Sequence, residues 1–354
     1  MPSGYHFSLG FLVGQNVLDI VTVVIFCGLV PALALRYLMR AFRKRPRFQA
    51  KNYAGRIVPL GLGFIWPLWA CGKVIASLVS IAINSLWNAE LPRLLARSWK
   101  PMLFSLFAIA VAAAAVFAFG LIDDMSGTGV SKGFKGHLKA LAHGRVTTGA
   151  IKLVGIGMMA LLFACCVLLS HHSGLFGILG VPLPWVVVML LLGASIALSA
   201  NFANLCDLRP GRATKVSILM LCVGFFISVM ESFAGAGGVS ALGNQWVLNL
   251  SAELATFLVF LLPMLITLPY DLHERGMLGD AGANPSGFIA GAYIATRLGL
   301  IGLVVYFLIM LALNLASEKF SFTRAIERNP LLSRLDQIGR IKTVETDREE
   351  EHTD

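Results

Sequence analysis

Charged residues are scarce in this sequence. Asp, Glu, Lys and Arg together make up 14% of its 354 residues, whereas 57% of the residues are hydrophobic. A soluble globular domain carries about 25% charged residues, so this composition excludes that class. Apolar runs long enough to cross a bilayer recur along the chain. They predict an all-α integral membrane protein, a polytopic bundle of about nine transmembrane helices with active-site loops in the cytoplasm.

The sequence also has only six cysteines. Five of them lie in apolar runs and Cys206 lies in a predicted loop, without the spacing of a zinc site. We therefore expect reduced cysteines that pack in the interior, with neither a disulfide framework nor a zinc centre. A basic segment before the first apolar run is lacking as well, so the sequence predicts no cleavable signal peptide.

The net charge of +10 is explained by membrane topology. Most Lys and Arg residues stand in short loops between apolar runs, and such loops face the cytoplasm. A dense basic loop follows the first predicted span, which places the N-terminus outside and the C-terminus in the cytoplasm of a multi-pass plasma-membrane protein. Because the charge has this origin, the sequence predicts no nucleic-acid partner.

The last apolar run, residues 287–316, is too long for one span. As a single helix it would measure about 45 Å, whereas the hydrocarbon core is roughly 30 Å thick. A break at residues 297–299 keeps the basic C-terminal segment inside. We thus expect a transmembrane catalytic domain over residues 1–316 and a cytoplasmic tail over 317–354. The nine spans are residues 16–38, 57–86, 102–122, 149–170, 185–200, 216–233, 247–268 and the two parts of 287–316.

The stretch 118–152 contains the first group of candidate site residues. Its apolar helix ends in Asp123 and Asp124, and a glycine-rich loop follows with the cationic and imidazole side chains of Lys132, Lys135, His137, Lys139, His143 and Arg145. Two carboxylates at a membrane surface, facing a cluster of cations, suit a divalent metal and a phosphorylated substrate together. The alternative is that the acids only end a helix and the lysines only set the topology.

Two later loops add polar residues that are expected on the same face. Residues 201–215 form a loop that carries Asn201, Asn204, Asp207, Arg209 and Arg212. The third loop ends in Gly279, Asp280, Ala281 and Gly282, where another helix is about to begin. Backbone N–H groups at such a helix start can hold phosphate, and glycine lets a ligand approach closely.

These residue types favour phosphoryl chemistry. Oxygen ligands without a Cys/His set indicate Mg²⁺ or Mn²⁺, and Asp280 is the residue we expect to coordinate it. Asn201 and Asn204 offer amides to a base or a sugar. Four cations would neutralise a diphosphate: Lys135, Lys139, Arg209 and Arg212. For the two arginines, an anchor to anionic lipid is an equal alternative.

The segments FGLIDD, NFANLCD and MLGDAG, in this order and separated by predicted spans, resemble the polyprenyl-phosphate N-acetylhexosamine-1-phosphate transferases. This family includes the enzyme that makes the first lipid intermediate of peptidoglycan and the initiators of O-antigen and teichoic acid synthesis. The resemblance covers roughly residues 52–316. It implies Mg²⁺-dependent transfer of a sugar 1-phosphate from a UDP-sugar to a polyprenyl phosphate such as undecaprenyl phosphate, with release of UMP.

The resemblance also implies roles for individual residues. Asp123 and Asp124 match the paired catalytic acids, and Asp280 matches the metal ligand. Asn204 and Asp207 match the nucleotide-sugar loop, and Asp207 is expected to act in catalysis too. The transfer can be direct or can pass through a covalent aspartyl intermediate, and the sequence allows both.

The chain departs from the family pattern in two places. Pro210 stands where the nucleotide loop usually has a second acid, with arginines on either side of it. The histidine-rich loop of the peptidoglycan branch and a tenth span are absent. These departures disfavour a muramoyl-pentapeptide substrate and leave the sugar undefined.

Two other functions are compatible with the spans. A transporter or lipid flippase could use Glu253 and Lys73, which are both predicted to lie within the membrane. However, no inverted repeat is visible, and the acids collect at one surface, whereas a transport site lies at the midplane. A catalytically silent relative that acts as an assembly scaffold is the second alternative. The sequence leaves a homodimer open.

Overall fold

The structure, a computed structural model, describes residues 20–87, 91–126, 147–170, 177–178, 181–182, 184–235 and 244–341. The described part is almost entirely helical. Two short antiparallel hairpins pair β1 (Gln49–Lys51) with β2 (Ile57–Pro59) and β3 (Gly177–Ile178) with β4 (Val181–Pro182). The helices are α1 (Ile20–Phe42, π-helical over Val24–Leu29), α2 (Ile65–Trp87), α3 (Leu91–Ser126), α4 (Thr148–Ser170), α5 (Trp185–Cys206), α6 (Arg212–Gly235), α7 (Asn244–Leu272), α8 (Asp280–Ala295), α9 (Leu300–Ser317), α10 (Phe322–Arg328) and α11 (Pro330–Gln337).

Eight of these helices are long and apolar enough to cross a membrane, among the residues that the structure describes. They are α1 to α7 and α9, and together with the short α8 they account for the nine predicted spans. The prediction of an all-α, multi-pass membrane protein is confirmed.

Helix α8 forms the centre of the bundle. Every residue after Asp280 in this helix is buried, and α3, α5 and α6 pack around it. Small residues make the close packing possible: a Cβ atom on Gly287 would lie 2.4 Å from the carbonyl oxygen of Ser199, and one on Gly291 would lie 2.4 Å from the Ser199 Cβ. Glycine and alanine bring membrane helices together in this way because they let the backbones approach.

The predicted break in the last apolar run is confirmed. Helix α8 ends at Ala295 and α9 begins at Leu300, with Gly299 as its N-cap. Helix α8 begins at Asp280, as expected from the end of the third loop, although the apolar run begins only at residue 287. Two backbone N–H groups of this polar first turn are satisfied by Asp124 of α3.

Three helices are longer than their apolar segments predict. Helix α5 continues to Cys206, so Asn201 and Asn204 lie on a helix and not in a loop. Helix α3 begins at Leu91, and α7 extends from Asn244 to Leu272. Hydropathy marks only the part of a helix that suits hydrocarbon, whereas the backbone continues its hydrogen bonds past that boundary. Residues 91–100, which lie between two predicted spans, and most of the expected loop 201–215 are therefore helical.

The second predicted span was also wrong in its start. Residues 57–59 belong to β2, and α2 begins only at Ile65. It then runs unbroken through Pro67. A proline in the first turn of a helix is tolerated because its missing N–H would have no intrahelical partner.

The segment after α9 is not a free tail. Helices α10 and α11 pack against the beginning of α6, where the guanidinium of Arg212 makes two hydrogen bonds of 2.9 Å to the Asp336 carboxylate. Arg212 also donates to Thr323 Oγ1 at 2.9 Å. This pair is almost fully buried, with side chains 4% and 10% exposed. The C-terminal helices thus lie at the same end of the bundle as the loop between α5 and α6.

The approach of α3 to the first turn of α8 depends on Gly120. A Cβ atom at this position would lie 2.4 Å from the carbonyl oxygen of Asp280. We expect Gly120→Ala to destabilise the fold by about 1–3 kcal/mol, because backbone would have to move to relieve the overlap. The measurement is the thermal unfolding midpoint of the purified protein in detergent.

Gly157 of α4 provides the matched control. A Cβ atom at Gly157 meets nothing within 4 Å, so Gly157→Ala should leave the midpoint unchanged or raise it slightly. Equal effects of the two substitutions would contradict the close approach at Gly120.

Candidate functional site

Five carboxyl groups gather at one end of the bundle, and we call them the acid cluster. The chain brings them there because each one stands at a helix end or just beyond it. Asp123 and Asp124 lie at the end of α3, and Asp271 lies in the last turn of α7. Asp207 directly follows α5, and Asp280 is the first residue of α8. Asp124, Asp271 and Asp280 are near enough to Asp207 to affect its ionisation.

Asp124 caps the buried start of α8. Its Oδ1 accepts a hydrogen bond from the backbone N–H of Asp280, and its Oδ2 accepts one from Ala281, both at 2.9 Å. The first N–H groups of a helix have no intrahelical partner, and this carboxylate satisfies two of them. The positive end of the helix dipole in turn stabilises its negative charge. Gly279, with a φ of 64°, makes the sharp entry that this geometry requires.

Lys152 joins two members of the acid cluster. Its ammonium lies 2.8 Å from Oδ2 of Asp123 and also contacts Oδ2 of Asp280. Thr148, one turn earlier on α4, donates to Oδ1 of Asp123 at 2.7 Å. The Lys152 side chain is only 11% exposed. A buried ammonium between two carboxylates stabilises both negative charges and holds α3, α4 and α8 together at this end.

Asp207 and Asp271 accept hydrogen bonds from backbone N–H groups. Gly279 donates to Asp207, and Gly211 donates to Oδ2 of Asp271 at 2.8 Å. Burial raises the pKa of Asp207 well above its usual range, and three neighbouring carboxyls raise it further: Asp271, Asp280 and Asp124. The hydrogen bond from Gly279 acts in the opposite direction but does not outweigh them.

The acid cluster has more carboxyl groups than ion-pair partners. Among the described residues, the ammonium of Lys152 makes ion pairs with two of the five carboxyl groups, those of Asp123 and Asp280. The cluster itself offers a metal only carboxylate oxygens, which are the ligands that Mg²⁺ prefers. The described residues contain no set of three His, Cys, Asp or Glu side chains already arranged around one metal position. The oxygen ligands, and the carboxyl groups without an ion pair, nevertheless fit a divalent cation.

The two predicted asparagines lie on the last two turns of α5. Asn204 accepts the backbone hydrogen bond of Asp207 at 3.0 Å and is half-buried beside the acid cluster. Asn201 donates to Oδ1 of Asn314 on α9 at 2.6 Å. Asn314 in turn donates to the carbonyl oxygens of Leu198 and Met310. The structure thus places Asn204 near the acids and Asn201 in a helix–helix contact.

The two predicted arginines have partners within the chain. Arg209 lies 4.7 Å above the Tyr53 ring and 3.4 Å from Glu327. Its side chain is 30% exposed, so it can reach a ligand. Arg212 uses all three guanidinium nitrogens for Asp336 and Thr323, so a phosphate would have to displace them. The predicted lysines, Lys135 and Lys139, lie outside the described residues, as do Lys132, His137, His143 and Arg145.

Sequence reasoning missed three members of the site: Thr148, Lys152 and Asp271. A signal existed for Lys152, because it is the single charged residue of α4. A lone charge in an apolar span is rare unless it has a partner or a function. Asp271 stands directly after an apolar segment and looks like part of a loop. Its contact with Gly211, sixty residues away, has no counterpart in the local pattern.

A comparison with protein-family models finds no match for this chain, and a search of curated proteins finds no relative either.

The pKa of Asp207 generates a prediction about stability. A carboxyl whose pKa is higher in the folded than in the unfolded protein destabilises the fold as the pH rises from its unfolded pKa, about 3.9, through its folded pKa. Asp207→Asn removes the charge but can still accept the Gly279 hydrogen bond. We expect the unfolding midpoint of this variant to exceed that of the wild type by about 2–4 °C at pH 8, with no difference near pH 4.

Asp336→Asn is the control with the opposite sign. Burial alone would raise the pKa of Asp336, but the hydrogen bonds from Arg212 and the charge of Arg340 outweigh it and lower the pKa. Its ionised form therefore stabilises the fold above pH 4, and Asp336→Asn should lower the midpoint at pH 8. The interpretation of Asp207 would be contradicted if both variants were destabilised at pH 8.

Proposed function

We propose that this protein transfers a sugar 1-phosphate, of the N-acetylhexosamine type, from a UDP-sugar to a polyprenyl phosphate and releases UMP. The reaction takes place at the cytoplasmic face of the plasma membrane and starts the synthesis of a surface glycan. The basic loops favour an external N-terminus and a cytoplasmic C-terminus. A reporter fused after Arg340 that is active only on the external side would contradict this orientation.

The observation that carries the proposal is the convergence of three distant segments at one end of the bundle. Asp124 binds the backbone of residues 280 and 281, Lys152 bridges Asp123 and Asp280, and Gly279 donates to Asp207. These are the segments that resemble the sugar-phosphate transferases. Their meeting at the ends of membrane helices suits a lipid phosphate and a soluble nucleotide sugar, which must meet at the bilayer surface.

The contacts suggest different roles for the two adjacent acids of α3. Both oxygens of Asp124 accept backbone hydrogen bonds, so its role is to position α8. The Asp123 side chain is 18% exposed and faces Lys152. Asp123 is therefore the residue that would accept the remaining proton of the lipid phosphate, while Lys152 offsets negative charge that gathers on the phosphates.

The surplus carboxylates fit the Mg²⁺ that this reaction implies. Asp280 and Asp207 would hold the ion, because Asp207 has no cationic side chain among its described partners and Asp280, the first residue of α8, lies near enough to Asp207 to affect its ionisation. When bound, Mg²⁺ neutralises negative charge on a diphosphate and helps UMP to leave.

The contacts of Glu253 support the transferase over a transporter. Its carboxylate lies 2.8 Å from the guanidinium of Arg297, which stacks 3.7 Å from the centre of the Tyr293 ring. Arg297 follows α8 and is thus about 25 Å along the helix axis from Asp280. Glu253 is therefore paired at the opposite end of the bundle from the acid cluster.

Metal-dependent release of UMP from a panel of UDP-sugars, with polyprenyl phosphate as acceptor, tests the proposal. We expect Asp280→Asn and Lys152→Gln each to reduce turnover by at least about 100-fold, since several kcal/mol of charge stabilisation would be lost. Glu253→Gln, an equally conservative change at the other end, should keep turnover within about threefold of the wild type. Near-normal Mg²⁺-dependent turnover by folded Asp280→Asn would exclude its role.

The two arginines are expected to behave differently in the same assay. Arg209→Gln should raise the KM for the UDP-sugar by about tenfold with little change in kcat, because a half-exposed cation near the site contributes to substrate binding. Arg212→Gln should instead lower the unfolding midpoint, because the largely buried Asp336 loses its two hydrogen bonds to Arg212 and keeps only its ion pair with Arg340. An unchanged KM for Arg209→Gln would favour the alternative that this residue only holds the loop in place.

A further inference from the structure

Helix α11 contacts the rest of the protein with its polar groups, whereas α10 also contributes the ring of Phe322, whose centroid lies 5.9 Å from that of Phe202 on α5. Asp336 binds Arg212, and its carbonyl oxygen accepts a hydrogen bond from Lys215 at 2.7 Å. Arg340, one turn later, donates to the carbonyl oxygen of Pro210 at 2.9 Å. Polar groups therefore form the protein-facing side of α11.

The apolar residues of α11 face away from the protein. Leu331, Leu335 and Ile338 are between 50% and 66% exposed, and Leu332 is 44% exposed. At 100° per residue, the first three cluster on one side of α11, and Asp336 and Ser333 point elsewhere. An apolar helix face that is turned outward has to be covered by something other than this fold.

Exposed cations flank this apolar face. They are Lys319, Arg324, Arg328 and Arg334. The combination of an apolar side with Lys and Arg beside it is typical of helices that lie in the headgroup region of a bilayer. Contact with a second copy through the same surface would place these like charges opposite one another, which disfavours a symmetric dimer.

The position of the helices favours lipid as well. The segment 318–321 joins α9 to α10 and spans at most about 14 Å, so α10 stays at the membrane surface where α9 ends. The outward side of α9 carries Leu308, Ile309 and Leu315, each at least 50% exposed, and Phe320 beyond it is 67% exposed. Exposed apolar side chains thus follow one another along the chain from α9 through Phe320 to α11.

We infer that α10 and α11 lie in the headgroup interface of the same bilayer, with Leu331, Leu332, Leu335 and Ile338 among the acyl chains. Because Arg212 and Pro210 bind α11, this attachment also fixes the loop between α5 and α6, which carries Asp207, at the membrane surface. The inference does not depend on the proposed reaction.

Carbene labelling from the bilayer tests this inference. The purified full-length protein is placed in vesicles of equal phosphatidylcholine and phosphatidylglycerol that contain a phospholipid with a diazirine in its acyl chain. After irradiation, trypsin releases the peptides 329–334 and 335–340, and mass spectrometry locates the adducts. We expect labelling of both peptides to exceed that of peptide 52–56, from the hairpin at the same end, by at least about fivefold.

Two variants with the same added charge serve as a matched pair. Leu335→Asp places a carboxylate on the apolar face, and Gln337→Asp places one on the exposed polar side of the same helix. Neither changes peptide 329–334. Its labelling should fall at least about threefold in Leu335→Asp and remain unchanged in Gln337→Asp, with both variants eluting from gel filtration like the wild type.

Two results would overturn the inference. One is labelling of both peptides at the level of peptide 52–56, whether or not chemical cross-links join α11 of two copies. The other is equal labelling of peptide 329–334 in the two variants. The outcome is read without any transferase assay, so it is distinguishable from a failure of the proposed function.

Discussion

The buried N-terminus of α8 is the constraint on which the rest of the structure depends. A helix that begins inside a membrane protein exposes N–H groups that neither lipid nor its own backbone can satisfy, and each unsatisfied group is costly in hydrocarbon. Asp124 satisfies two of them. Because this carboxylate comes from the end of α3, the cap also fixes where α3 ends relative to α8. The neighbouring Asp123 and its partner Lys152 are positioned as a consequence.

The small residues around this cap follow from the same requirement. Asp124 reaches the α8 backbone only because α3 can approach closely at Gly120, and the chain can turn into the helix only because Gly279 adopts a positive φ. A Cβ atom on Gly279 would also lie 2.8 Å from the Asp124 carboxylate. The glycines thus have a packing role that suffices to explain them, in addition to any approach of a ligand.

Local sequence signals predicted the parts of the fold that local physics determines. The apolar runs gave the membrane helices, and the length of the last run gave the break before Leu300. A helix end was missed where tertiary contacts decide it, as at Asn204 on α5. The acids of the site could be found because charge is rare in such a chain, but the distribution of their hydrogen bonds could not. That depends on Asp124 and Lys152 meeting residues more than a hundred positions away.

The two ends of the bundle differ in how their charged groups are paired. At the end where α8 finishes, Glu253 and Arg297 form an ion pair, and Arg297 also stacks on Tyr293. In the acid cluster, two of the five carboxyls, Asp123 and Asp280, have an ion pair within the described residues, and burial raises the pKa of Asp207 well above its usual range. An arrangement selected only for stability would pair or remove such charges, since an unpaired buried carboxylate is destabilising. Its retention is typical of a site whose missing positive charge arrives with a ligand.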